Sequence, residues 1–192
     1  MLKSLLVAAA LVVSTAAHAG QVSPFLFKGQ LQAIHQAAVH AQALNWKVGD
    51  ENDYSISMAV FIKGTMKMFV RSIDATGAWL EQDVDLSVQQ QKVEALIDMN
   101  TGETKQLLVN GQPQAIPDQS QLNIVDQEEA TITVPAGTFK AIYVKIQDAS
   151  QNNQITEQWV NPRDIPVNGM LQSISDSTLG KVTMQLTSFK KN

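Results

Sequence analysis

The sequence predicts a mainly β protein: a curved antiparallel sheet of about ten strands forming an open half-barrel, with one N-terminal helix packed against it. Three observations carry this expectation. From Trp46 onward, apolar side chains recur at every second position. Turn signals rich in Gly, Asn and Pro divide that stretch into short runs at regular spacing. A single helical pattern precedes them, and none separates them.

Residues 1–19 read as a secretory signal peptide. Lys3 supplies the positive end, Leu5 to Val13 is the apolar run, and Ala17-His18-Ala19 is a small-x-small cleavage pattern. The run falls short of the ~20 residues that a bilayer span needs. Its compact form is of the bacterial kind, so the expected destination is the periplasm or the exterior. No Cys follows the cleavage site to carry a lipid. The expected product is residues 20–192, one domain large enough for a sizeable core and not a transmembrane protein.

Residues 29–44, GQLQAIHQAAVHAQAL, are predicted to be helical: Ala, Gln and Leu favour helix and no Pro interrupts them. Leu31, Ile34, Ala38 and Ala41 share one face, which is thin because it is mostly Ala. Next, Tyr54, Ile56, Met58, Val60 and Ile62 alternate with smaller or polar residues, and Met66, Met68 and Val70 do the same beyond Lys63-Gly64. These read as a hairpin turning at Lys63-Gly64 with one strongly apolar face. Asp74-Ala75-Thr76-Gly77 is the next turn, and Leu80, Val84 and Leu86 continue the alternation.

A short strand at Val93 to Ile97 ends at Asn100-Thr101-Gly102. Thr104 to Val109 leads into Asn110-Gly111, the strongest hairpin signal in the chain. Pro113 to Pro117 reads as a loop or an edge. Ile132 and Val134 enter the turn Pro135-Ala136-Gly137, and Phe139 to Ile146 pairs with Ile155 to Val160 across a polar loop. Pro162 and Pro166 mark a connection. Met170 to Ile174 and Val182 to Phe189 form the last hairpin.

Composition excludes several functions. At 44% apolar and 17% charged the chain is not disordered, and without Cys it has no disulfide framework, thiol nucleophile or cysteine zinc site. The net charge is −4, and Arg71 and Arg163 are the arginines, so no basic face exists for nucleic acid. His35 and His40 are five apart, about 140° around a helix, which is the wrong spacing for a metal pair. No metal or other cofactor is expected. Asp50-Glu51-Asn52-Asp53 reads as a solvated turn, and Asp83 with Asp85 as an outward-facing pair. No Gly-x-Ser-x-Gly elbow and no phosphate-binding Gly-rich loop is present, so no catalytic residue is assigned. Trp46, Trp79 and Trp159 sit near strand ends, suited to packing there.

Two stretches carry a resemblance. Residues 132–139, ITVPAGTF, lead into a strand that is followed by QWVNP (158–162) and IPVNG (165–169). Residues 97–103, IDMNTGE, precede Val109-Asn110-Gly111. Together they resemble secreted bacterial proteins of the LolA/LppX type over about half of residues 20–192. The resemblance implies an unclosed barrel around an apolar hollow, covered by helices and used to carry lipid. Only one helix is legible here, and there are too few arginines for a carrier's arginine-based gate.

The expected function is therefore non-enzymatic binding or carriage of a hydrophobic ligand, a lipid or acyl chain. The candidate lining is Ile56, Met58, Val60, Met66, Met68 and Val70, with the pliable methionines suited to variable apolar partners. The alternative is a filled barrel serving as an interaction module for an envelope protein. A hydrolase would need a Ser and a carboxylate beside His35 or His40.

Overall fold

A computed structural model describes residues 44–58, 62–87, 89–116, 122–149, 152–177 and 180–192. The expected signal peptide, His35, His40 and Val60 lie outside the described residues, as does the expected helix apart from its last residue, Leu44. The described chain is mainly β. Its strands are β1 (Glu51–Met58), β2 (Ile62–Asp74), β3 (Gly77–Leu86), β4 (Gln89–Ile97), β5 (Thr104–Val109), β6 (Gln112–Pro113), β7 (Leu122–Val134), β8 (Gly137–Asp148), β9 (Gln154–Val160), β10 (Met170–Ser177) and β11 (Gly180–Lys190).

All eleven belong to one antiparallel sheet in the order β6-β5-β4-β3-β2-β1-β11-β10-β9-β8-β7. The first and last strands pair at its centre, from Glu51 opposite Lys190 to Met58 opposite Val182. Its two edges are β6 and β7, which are neighbours in sequence but do not pair, so the sheet is not closed into a barrel. The connection between them dictates curvature. Ten strand spacings laid flat would separate the edges by ~48 Å. The Gln114 amide donates to the Leu107 carbonyl at 2.9 Å, so the link to Leu122 starts beside β5. Its eight Cα steps span at most ~28 Å, and the sheet must curl.

It curls toward the face that carries Ile56, Met66, Met68, Val70, Leu80, Val84, Met184 and Leu186, all buried in one cluster. The outer face of β2–β4 is charged: Arg71 pairs with Glu81 and Glu94 and stacks over Trp79, and Lys92 pairs with Glu81. Asp83 and Asp85 share this outer face, as alternation indicated.

One end of the curl is closed. The β9–β10 loop folds inward, its Asn161 amide donating to the Gly169 carbonyl at 2.7 Å, and it buries Ile165 and Val167 in the main cluster. The tip of the β7–β8 hairpin reaches the same end. Ala136 donates its amide to the Leu186 carbonyl at 3.1 Å, and Phe139 meets Phe189 edge-on. Along β8, Ala141 belongs to the main cluster, whereas Val144 and Ile146 belong to a second one with Leu122 and Val160. Three positions separate Ala141 from Val144, so the strand buries opposite faces in its two halves. The switch falls where β9 ends, since Ile142 is the last β8 residue paired with β9.

Three expectations are corrected. Lys63-Gly64 is not a turn: both residues lie in β2, and Ile56 pairs with Gly64. Gly64 is small for another reason, because a Cβ there would lie 2.3 Å from the Asp85 carbonyl oxygen. Asp50 to Asp53 is not a solvated turn. Asp50 and Asn52 are buried, and Asp50 accepts the Lys47 and Asn192 amides at 2.9 and 2.8 Å. Finally, β7 runs from Leu122 rather than Ile132. As an edge strand exposed over most of its length, it has no apolar alternation to read. By contrast, Asn110 and Gly111 form the expected turn, both with positive φ, 51° and 75°.

Candidate functional site

The inner face of the sheet is the candidate site. Cross-strand register places its rows directly. Met66 stands opposite Tyr54, and Met68 opposite Asn52. Ile56 stands opposite Met184, which in turn stands opposite Ser173. Of the sequence-predicted lining, Ile56, Met66, Met68 and Val70 are thus brought together in the main cluster, with Met58 half-buried against it. Met66 and Met68 are 1% and 0% exposed.

The closed end is a polar floor under this apolar wall. Trp46 donates its indole N–H to the Val167 carbonyl at 2.7 Å. Val167 has a φ of 58°, which β-branched residues rarely adopt, and the surrounding loop contacts hold it there. Beside it, Asn52 Nδ2 donates to the Pro166 carbonyl at 2.8 Å, and the Tyr54 hydroxyl lies 2.9 Å from Asn168 Oδ1 and 3.1 Å from the Met170 carbonyl. Burial pushes the Tyr54 phenol far above its ordinary value, so the group is a neutral hydrogen-bonding partner and not a base.

The opposite end differs. The β1–β2, β3–β4 and β10–β11 connections there are only two or three residues long. Met58, Val182, Ser175 and Thr156 form the inner row nearest this end.

Sequence reading missed the polar part of the inner face. Gln158 pairs with Ser173 and Thr156 with Ser175, and all four are buried. On β3, Gln82 is buried as well, with its Nε2 on the Met66 sulfur. Neither Gln82 Oε1 nor Gln158 Oε1 has a hydrogen-bond partner among the described residues. The signal was misleading in β9, where Ile155 and Trp159 look like the inward set. In fact Trp159 lies on the other face, its ring 5.1 Å from that of Tyr143. Met170 and Met184, scattered in sequence, join the main cluster.

Among the described residues no group of three or more His, Asp or Glu side chains is placed to hold a metal ion. None of their helices is long and apolar enough to cross a membrane. No protein-family model matches the chain, and no curated protein matches its sequence.

Proposed function

We propose that this chain is a secreted periplasmic protein that binds or carries a hydrophobic ligand, a lipid or acyl chain, inside an open half-barrel of the LolA/LppX kind. In this reading residues 1–19 are removed on export, and the helix expected at 29–44 packs against the inner face as a lid. Leu44 packs against the main cluster and Trp46 is pinned to the floor loop, so the chain leaves the described region beside that face.

The observation that carries the reading is the curl of eleven strands toward an apolar face. Eight strands make a barrel that side chains alone can fill. Closed into a ring, eleven would enclose roughly twice that cross-section, and a thin Ala-rich helix would supply little volume to fill it. An acyl chain burying ~400 Å² would gain at most ~10 kcal/mol before association costs.

The near-complete burial of Met66 and Met68 favours a second reading, in which the protein fills its own interior and docks on an envelope protein. Native mass spectrometry of protein purified from the envelope of a secreting host separates the two. A bound lipid at one per chain, extractable into organic solvent, supports carriage. Protein that is empty in repeated preparations and ignores apolar dyes supports the interaction module instead.

A further inference from the structure

We infer that the hollow selects a neutral amphiphile whose polar group donates a hydrogen bond, a hydroxyl or amide N–H, and that Gln158, helped by Ser173, is the residue that reads it. This rests on the carrier reading above and specifies its ligand. Gln158 and Ser173 are register partners on β9 and β10, and Ser173 faces Met184 on β11. The pair therefore sits on the inner face, between the main apolar cluster and the smaller one around Val144 and Ile146. A ligand lying along this face meets polar groups part-way along an apolar bed.

The chemistry of those groups narrows the ligand. Gln158 is 1% exposed and its Oε1 has no partner among the described residues. A buried amide oxygen without a donor is costly, and a face built only for hydrocarbon gains nothing from one. Gln82 repeats the arrangement on the other limb of the sheet, again with the oxygen unpartnered. Amide oxygens accept and do not donate. Among the described residues no Lys or Arg is buried, and the buried ionisable group on β8 is Asp148, an acid. A carboxylate or phosphate would meet no buried Lys or Arg among the described residues of this face. A neutral donor fits both conditions.

The test is displacement of the neutral dye N-phenyl-1-naphthylamine from the full mature chain by dodecanol, 1-monododecanoylglycerol and dodecanoate at neutral pH. The two neutral donors are expected to bind about tenfold more tightly than dodecanoate, the ratio that one satisfied buried acceptor supplies. In Gln158→Leu the advantage over dodecanoate should shrink to about twofold, with dye binding retained. Ser173→Ala should shrink it in the same direction by less. Equal affinities in the wild type, or a preference untouched by both substitutions, overturns the inference while leaving the carrier reading standing. Failure of the dye and all three ligands to bind the wild type removes the carrier reading, and the inference with it. Should Gln158→Leu not fold, the wild-type ranking and Ser173→Ala decide.

Discussion

The Tyr54 hydroxyl lies 2.9 Å from Asn168 Oδ1, joining the first strand to the loop between the ninth and tenth across 114 positions of sequence. The contact closes the floor of the curl, and it has a pH signature. Burial raises the phenol pKa above its ordinary value of 10.0, so the folded state holds its proton more tightly than the unfolded state. The resulting stability is fully present below pH 10.0 and is lost as pH rises toward the folded pKa. Tyr54→Phe should cost about 1–3 kcal/mol at neutral pH through its unpaired neighbours. It should also flatten the loss of stability above pH 10.0. Urea unfolding at neutral and alkaline pH checks both.

Two glycines separate crowding from backbone strain. Gly64→Ala drives a Cβ against the Asp85 carbonyl at 2.3 Å, and it should destabilise by about 1–3 kcal/mol or more. Gly111→Ala meets nothing within 4 Å, but its φ of 75° is strained for Ala, for a cost of about 1–2 kcal/mol. Thermal unfolding of the two variants should rank Gly64→Ala as the more damaging. The reverse ranking would contradict the close backbone approach at Gly64.

The edge strand β7 is guarded by charge. Asp126, Glu128 and Glu129 are exposed along it, and repulsion there opposes edge-to-edge pairing with a second molecule. Replacing Glu128 and Glu129 by Thr leaves β propensity high and removes the guard. Gel filtration should then show concentration-dependent association that is absent from the wild type.

Asp98 offers a local electrostatic check. Lys105 lies 2.7 Å from its carboxylate, and the Asn100 and Thr101 amides donate to it, which together hold its pKa at about 2. Lys105→Ala removes the largest cause, so the Asp98 carboxyl should titrate higher, nearer its ordinary 3.8. An NMR titration of the side-chain carboxyl carbon reads the change. A fold contribution from this pair is present above pH 3.8 and fades as pH falls through about 2.

Much of this architecture was legible because one face of each central strand is buried. Met66, Met68 and Val70 alternate with Lys67, Phe69 and Arg71, and the structure buries the first set and lines the outside with the second. Asn110-Gly111 was legible because a two-residue turn needs positive φ at both positions. The β1–β2 turn was misplaced because Gly64 signals close backbone approach as readily as a turn. Strand β7 was missed over its acidic half because an edge buries neither face. The polar half of the candidate site was hidden more deeply. In β9 the buried side chains are Thr156, Gln158 and Val160, while the apolar Ile155 and Trp159 are half-buried, so alternation of hydrophobicity points to the wrong side.

The carrier reading turns on whether an acyl chain reaches the methionines of the inner face. Methyl-labelled methionine resonances, followed by NMR during titration with 1-monododecanoylglycerol, ask this directly. Carriage requires saturable shifts at Met58, in the inner row by the short β1–β2 connection, and at Met184 and Met66 further along the inner face. Methionine methyls that stay unmoved at saturating ligand, in a protein that remains folded, would contradict it.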